Sequence, residues 1–206
     1  MPPAPLLLIP TVRERDLLLR SLELAEDVEI EVIGFGPVAA AASGARLFHA
    51  RPGLERAVLA GIAGRYPEGP AVGDAIEFGA VRLDGVGALG PDGLLTPAAM
   101  GLPQWTPPGG EPVFDALPLA GEGPELLTVC AAAGSPDDVT ARVARAPESA
   151  AEDMEAFAVA LAARAAGVEL RVVRGISNEA GDRNHARWRI DDALAAVAGL
   201  AADALT

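Results

Sequence analysis

The sequence is poor in basic residues and in cysteine, and it has no long apolar run. Its 206 residues include 16 Lys and Arg against 29 Asp and Glu, a formal net charge of −13. Such an acidic surface repels phosphate backbones, so we expect no nucleic-acid partner. No run approaches the roughly 18 apolar residues of a membrane span, and residues 1–10 lack the basic and apolar regions of a signal peptide.

Few residues could build a disulfide, a metal site or a serine triad. Cys130 is the single cysteine, so no internal disulfide can form, which is typical of the reducing cytoplasm. His49 and His185 have no carboxylate or thiol at metal-ligand spacing, and we predict neither a metal nor another cofactor. Ser135, Asp137 and His185 could be combined into a triad, but no Gly-x-Ser-x-Gly turn accompanies them and we reject it.

Apolar runs alternate with helical patterns along the chain. Short apolar runs predict buried strands at residues 6–9, 28–33, 57–60, 74–83, 126–132 and 168–173. Helices are predicted from the capping box Thr11-Val12-Arg13-Glu14 to Ala25, from Pro37, over residues 154–165 and near the C-terminus, where Trp188 and Leu200 mark the last one.

This alternation predicts the fold class. Strands and helices in turn are typical of an α/β protein, here a three-layer α/β/α sandwich with a central, mostly parallel mixed sheet. Residues 84–124 are rich in Gly and Pro, and we interpret them as loop and irregular edge structure. No linker divides the chain, so we expect one domain over residues 1–206.

A glycine pattern offers a rival function. Gly34-x-Gly36-x-x-Ala39 follows a predicted strand, and Glu55 lies downstream at a distance suited to a ribose contact. This would make the protein a dinucleotide-dependent oxidoreductase. The pattern follows the second predicted strand rather than the first, and a tight turn that needs glycines explains it as well.

Three ordered segments together resemble the nucleosidase branch of the nucleoside phosphorylase superfamily. They are Gly61-Ile62-Ala63-Gly64, Glu152-Asp153-Met154-Glu155 and Arg174-Gly175-Ile176-Ser177-Asn178. The last one continues as Gly181-Asp182-Arg183-Asn184 with Trp188, which resembles the futalosine hydrolases in particular. The resemblance implies hydrolysis of a purine nucleoside, a substrate site that includes Ala63, Gly64 and Ser177, and a homo-oligomer, dimeric or larger.

Asn178 bears on which purine is cleaved. In relatives that act on 6-aminopurines an Asp usually stands after the Ser and donates a proton to the departing base. A 6-oxopurine such as hypoxanthine presents two acceptors on that edge, so an ionised Asp would repel it whereas an Asn amide donates to it. We therefore predict that Asn178 binds hypoxanthine, the base of futalosine. The alternative is an Asn in a turn.

Glu155 and Met154 are the ribose candidates. The resemblance implies that Glu155 accepts hydrogen bonds from the ribose hydroxyls while Met154 packs on the sugar. A carboxylate there would also stabilise an oxocarbenium-like transition state. The alternative is that Met154 is a core residue and Glu155 an acid in the first turn of a helix.

Glu14 is the candidate general base. Alignment of Pro10-Thr11 with the end of the family's first strand places Glu14 on the carboxylate that activates water. The competing role is structural, because Glu14 also completes the capping box with Thr11. If Glu14 is only a cap, the protein would be a nucleoside-binding module without catalysis.

Water is favoured over phosphate as the nucleophile. Phosphorylases that resemble this chain place an Arg and a Ser where it has Leu59 and Ile62, and neither apolar side chain can bind phosphate. Phosphate is therefore disfavoured, but Arg65 follows this segment closely, so phosphate is not excluded. Arg183 is the candidate partner for the benzoate of futalosine. A nucleosidase acting on methylthioadenosine, adenosylhomocysteine or aminodeoxyfutalosine remains the alternative within the superfamily.

Overall fold

The computed structural model describes residues 3–23, 27–91 and 93–206. The predicted helix end at Ala25 and the first two residues of the chain lie outside those ranges. The strands are β1 Leu6–Ile9, β2 Glu29–Val32, β3 Arg56–Arg65, β4 Ala75–Phe78, β5 Ala80–Leu83, β6 Ala88–Gly90, β7 Gly93–Leu95, β8 Ala116–Pro118, β9 Glu125–Thr128, β10 Ser149–Asp153 and β11 Glu169–Glu179. The helices are α1 Val12–Leu18, α2 Pro37–His49, α3 Pro97–Met100, α4 Pro136–Arg145, α5 Ala156–Ala166 and α6 Ile190–Leu205.

A mixed, mostly parallel sheet forms the middle of the molecule. Its order is β2-β1-β3-β10-β9-β5-β8, and β11 pairs with both β3 and β4. Strand β1 is parallel to β2 and β3, β11 is parallel to β3, and β9 is parallel to β5 and β10. The antiparallel pairs are β3–β10, β4–β11 and β5–β8. The predicted sheet is thereby confirmed.

Alternating side chains of strand β1 belong to separate cores on the two faces of the sheet. Leu6 and Leu8 of β1 belong to the core under α2 and α5, whereas Leu7 and Ile9 belong to the core under α1 and α6. Successive residues of a strand point to opposite faces of a sheet, so an unbroken apolar run is buried only when helices cover both faces. This arrangement is the predicted three-layer sandwich.

Several predicted boundaries are wrong, and the errors share a cause. The glycine segment 61–64 lies inside β3 rather than after it, and β11 continues to Glu179 instead of ending near residue 173. Both strands extend because they pair with each other along their full length. Tertiary pairing of this kind overrides the local turn preference of glycine.

Other segments are shorter or differently divided than predicted. The predicted strand 74–83 is two strands joined at Gly79, because β4 pairs with β11 while β5 pairs with β8 and β9. Helix α1 ends at Leu18, and β9 ends at Thr128, so the following residues are irregular. Trp188 precedes α6, and α4 and β10 had no predicted counterpart.

Residues 84–124 contain the short hairpin β6–β7, helix α3 and edge strand β8, joined by irregular chain. Within the described part of the chain, no helix has the length and apolar character needed to cross a membrane.

Candidate active site

One cavity of about 680 Å³ lies where the ends of β1, β3, β10 and β11 meet. The antiparallel pairing of Gly64 with Glu152 joins the carboxyl ends of β3 and β10, which brings residues distant in the chain together. All the site residues predicted from the sequence line this cavity, namely Glu14, Ala63, Gly64, Met154, Glu155, Ser177, Asn178 and Arg183.

The carboxylate of Glu14 lines the cavity and does not complete the helix cap. Thr11 caps α1, since its hydroxyl oxygen accepts a hydrogen bond from the Glu14 N–H at 3.2 Å. Glu14 does not return that bond to the Thr11 N–H. Instead its Oε2 accepts from the Thr11 hydroxyl at 2.6 Å, and its Oε1 accepts from the Ile62 N–H of β3 at 3.2 Å. The carboxylate is buried, yet it remains on the cavity wall.

Glu155 is a buried carboxylate in an acidic neighbourhood. It precedes α5, and its Oε1 accepts a hydrogen bond from the Gly36 N–H at 2.9 Å. Burial and the nearby charge of Asp153 raise the pKa of Glu155 to about 7, while Arg174 and the Gly36 hydrogen bond oppose the rise. Near neutral pH the carboxyl therefore exchanges readily between its charged and neutral forms.

The substitution Glu155→Gln is expected to stabilise the fold at alkaline pH. A folded-state pKa of about 7, raised from 4.5, means that ionised Glu155 costs stability above pH 7, and that this cost disappears below about pH 4.5. The Gln oxygen can still accept from Gly36. We expect a gain of about 3 kcal/mol at pH 8, corresponding to roughly 6–12 °C in the melting temperature.

Thermal unfolding of both proteins between pH 4 and pH 8 checks this. The gain should shrink as the pH falls through the interval from 7 to 4.5. A difference that stays constant with pH would contradict it.

Arg174 is a site residue that sequence reasoning did not single out. It is fully buried in β11, and its Nε and Nη2 donate to Asp153 Oδ2 at 3.2 and 2.6 Å. Its Nη2 also lies 3.9 Å from Glu155 Oε2. Its Nη1 is buried and has no hydrogen-bond partner among the described residues. A charged residue in an otherwise apolar strand was the available signal.

Gly61 allows Arg174 and Glu14 to pack closely against strand β3. It is the register partner of Arg174 on the neighbouring strand. A Cβ at Gly61 would stand 2.6 Å from Arg174 Nη1 and 2.9 Å from Glu14 Oε1. Both distances are too short for a carbon atom, so a side chain at this position would displace the guanidinium and the carboxylate.

The amide of Asn178 has a defined orientation. Its Oδ1 accepts from the Ser177 hydroxyl at 2.7 Å, and its Nδ2 donates to the Glu179 carbonyl at 2.8 Å. One N–H of that amide then remains for a ligand. Arg183 also lines the cavity, and its guanidinium carbon lies 5.4 Å from the ring centre of Trp188.

The glycine pattern of the oxidoreductase hypothesis has another use here. The Gly36 N–H at the start of α2 donates to Glu155, so the protein's own carboxylate takes the position where a dinucleotide fold binds pyrophosphate. Glu55 precedes β3, whereas Gly34 follows β2, which runs in the same direction. Gly34 and Glu55 therefore lie at opposite ends of the parallel strands, and Glu55 cannot contact a ligand bound at Gly34.

The position of a phosphorylase's arginine and the one nearby arginine, Arg65, provide no phosphate ligand in the cavity. Leu59 is fully buried within β3, and Arg65 donates to the Tyr66 and Pro67 carbonyl oxygens at 3.2 and 2.6 Å. Arg65 is absent from the cavity lining. Ser135 caps α4 and hydrogen-bonds Asp138, which agrees with rejection of the triad.

Known proteins resemble this chain in both sequence and structure. A futalosine hydrolase of Streptomyces coelicolor is 36% identical over 182 residues, covering 84% of this chain and 77% of that protein. The chain belongs to the futalosine hydrolase family. A futalosine hydrolase of Thermus thermophilus is 35% identical over 177 residues, covering 80% of this chain and 75% of the relative. No protein-family model matches.

Solved structures support the same fold. A methylthioadenosine/adenosylhomocysteine nucleosidase of Colwellia psychrerythraea, in complex with adenine, superposes with a TM-score of 0.77 at 20% identity over 100% of this chain and 95% of that one. The futalosine hydrolase of Helicobacter pylori superposes with a TM-score of 0.74 at 14% identity, covering 96% and 95%. The predicted resemblance and the predicted nucleoside phosphorylase-like fold are confirmed, and the chain is an enzyme of the N-ribosyl hydrolase class.

Proposed function

We propose that this enzyme hydrolyses the N-glycosidic bond of futalosine, releasing hypoxanthine and dehypoxanthine futalosine on a route to menaquinone. The observation that carries the proposal is the cavity in which Glu14, Glu155 and Asn178 meet, in a chain of the futalosine hydrolase family. Glu14 is suited to the attacking water, Glu155 to the ribose and Asn178 to the base.

Glu14 is the proposed general base. A water molecule in the cavity beside Glu14 would donate a hydrogen bond to its carboxylate, which lies on the cavity wall. Glu14 then takes the proton as the oxygen attacks the anomeric carbon. The bond from that carbon to the base breaks as the new bond forms, and the base leaves as the hypoxanthine anion, which then takes a proton from solvent.

The ribose is the proposed ligand of Glu155 and Met154. Glu155 accepts hydrogen bonds from the sugar hydroxyls, and Met154 packs against the ring. Three carboxylates, those of Glu14, Asp153 and Glu155, surround the single Arg174 guanidinium. The excess negative charge stabilises the positive charge that develops on the ribose as the bond to the base breaks.

The base is the proposed ligand of Asn178. Ser177 holds the amide oxygen, so the free N–H of Nδ2 is available to the acceptor edge of hypoxanthine. This donor favours futalosine over the adenine nucleosides of the alternative hypothesis. Likeness to the methylthioadenosine nucleosidases is a likeness of fold.

Incubation with futalosine, inosine and methylthioadenosine, with chromatography of the released base, tests the proposal. We expect rapid release of hypoxanthine from futalosine and little adenine from methylthioadenosine. Release of adenine at a comparable rate would favour the alternative, and no release of base from any substrate would contradict the proposed function.

Arg183 is the proposed partner of the benzoate of futalosine. Arg13 and Arg183 both line the cavity, and neither has a carboxylate within 4 Å among the described residues, although the protein is strongly acidic. We expect Arg183→Gln to raise KM for futalosine about tenfold through loss of a charge-assisted hydrogen bond. For inosine, which has no carboxylate, KM should stay within twofold. Steady-state kinetics on both substrates decides, and an equal rise for inosine would contradict the assignment.

We further propose a cytoplasmic homo-oligomer, dimeric or larger. Phe35, Val38, Leu89 and Leu102 are large apolar side chains that are mostly exposed, and two of them lie in the segment 84–124. Light scattering during gel filtration measures the assembly, and a monomer at micromolar concentration would contradict this proposal.

A further inference from the structure

Residues 129–133, between β9 and α4, form a cavity wall whose polar groups are almost all backbone. All five residues line the cavity, and only Cys130 has a polar side chain. Among the described residues, the N–H groups of Cys130, Ala131 and Ala132 have no hydrogen-bond partner. A ligand that contacts this wall therefore hydrogen-bonds mainly to backbone groups. The strength of those bonds depends on the position of the backbone.

Glu152, which also lines the cavity, and Arg142 hold that wall through hydrogen bonds to its backbone. The Ala133 N–H donates to Glu152 Oε1 at 2.7 Å, and Arg142 Nη2 donates to the Ala131 carbonyl at 2.6 Å. Arg142 Nη1 pairs with Glu152 Oε2, which also accepts from the Tyr66 hydroxyl at 3.0 Å. The middle of the wall at Ala131 and its last residue, Ala133, are thus tied to one ion pair, in which the carboxylate comes from β10 and the guanidinium from α4.

Burial makes this network rigid. Glu152 and Tyr66 are only 4% and 2% exposed. Burial and the charge of Glu152 raise the pKa of Tyr66, so its hydroxyl remains a donor. A buried carboxylate needs all its donors, because an unpaired one loses several kcal/mol of solvation. The wall cannot shift without breaking a bond to Glu152.

We propose that Glu152 and Arg142, supported by Tyr66, are positioning residues that set the backbone wall at residues 129–133 for recognition of the purine base. The inference rests on the proposed function, because it takes the ligand to be a purine nucleoside. Neither residue has a role in the attack of water. Their loss should weaken binding of the base and leave the chemical step and the ribose end nearly unchanged.

The substitution Glu152→Gln tests the proposal. Gln keeps the shape but has one acceptor oxygen in place of two. We expect the Kd for hypoxanthine and the KM for futalosine to rise about tenfold or more, with kcat within threefold. The Kd for dehypoxanthine futalosine should stay within twofold, which a general loss of structure would not allow. Titration calorimetry measures both products.

Two further variants keep the test decisive. Glu77→Gln is the matched control, since Glu77 also pairs with an arginine, Arg171, but lies outside the cavity lining. It should change neither Kd.

Tyr66→Phe removes a single bond to Glu152 and should weaken hypoxanthine binding two- to fivefold even if Glu152→Gln does not fold. Exchange of the Ala133 amide hydrogen, whose N–H donates to Glu152, should accelerate at least tenfold in Glu152→Gln when measured without ligand.

Unchanged hypoxanthine binding in the variants that fold, or equal weakening of both products, would overturn the inference. A parent protein that binds hypoxanthine but does not cleave futalosine would contradict the proposed function alone, and the variants' titrations would still decide the inference.

Discussion

Replacement of Glu14 by Gln is expected to lower kcat for futalosine by about 10²–10⁴-fold, while the protein stays folded. The carboxylate lies on the wall of the cavity, where the proposed water molecule can reach it. Gln is nearly the same size and can still accept from Ile62, but it cannot take a proton from water. KM should change little, because no contact of Glu14 with the base is proposed.

Thr11→Ala separates the two roles of Glu14. Thr11 supplies the cap of α1, so its loss should cost about 1 kcal/mol of stability. The carboxylate keeps its bond to Ile62, and we expect kcat to fall less than tenfold. Single-turnover kinetics and thermal unfolding of both variants make the comparison. If Glu14→Gln lowers stability and leaves kcat within tenfold of the parent, the role of Glu14 is only structural and it is not the general base.

The substitution Asn178→Asp is expected to reduce futalosine hydrolysis by roughly 100-fold or more. The change replaces the free Nδ2 donor by an acceptor, and two acceptors would then face each other in a buried position. An unsatisfied buried polar group costs about 1–3 kcal/mol, and a charged one more. Asn178 is only 9% exposed, so water cannot relieve the contact.

The same variant should gain activity on a 6-amino substrate. Ser177 can still donate to the new carboxylate, which keeps it oriented toward the base. Release of adenine from methylthioadenosine, compared with release of hypoxanthine from futalosine, measures the switch. Asn184→Asp is the matched control, because Asn184 is exposed, lies outside the cavity lining and should change neither rate. Full futalosine activity in Asn178→Asp would refute the role assigned to Asn178.

The position of the wall at residues 129–133 shows why part of the site was not predictable. The run 126–132 is apolar and small, and by its composition it predicts a strand through Ala132. Strand β9 ends at Thr128, because its neighbour β10 ends at Asp153 and offers no further backbone partners. Strand length depends on the partner strand, which no local pattern encodes.

Arg174 shows the same limit for a single residue. The sequence shows that a charged residue lies in an apolar strand. It does not show which residue of the neighbouring strand lies opposite. Only the pairing of β11 with β3 sets Arg174 against Gly61, where its Nη1 has no hydrogen-bond partner among the residues that the structure describes. The capping-box pattern likewise predicted correctly that Thr11 caps α1. Its second prediction was wrong, because the carboxylate of Glu14 accepts from the Ile62 N–H instead of the Thr11 N–H.

The sequence by itself determined the alternation of strands and helices, the burial of the sheet on both faces and eight of the residues that line the cavity. These features follow from hydrophobic periodicity and from motifs that are contiguous in the chain. The tertiary structure decided what those residues can do. It oriented the Asn178 amide, left Arg174 Nη1 without a hydrogen-bond partner among the described residues and tied the wall to Glu152, because hydrogen bonds between distant segments depend on how the strands are paired.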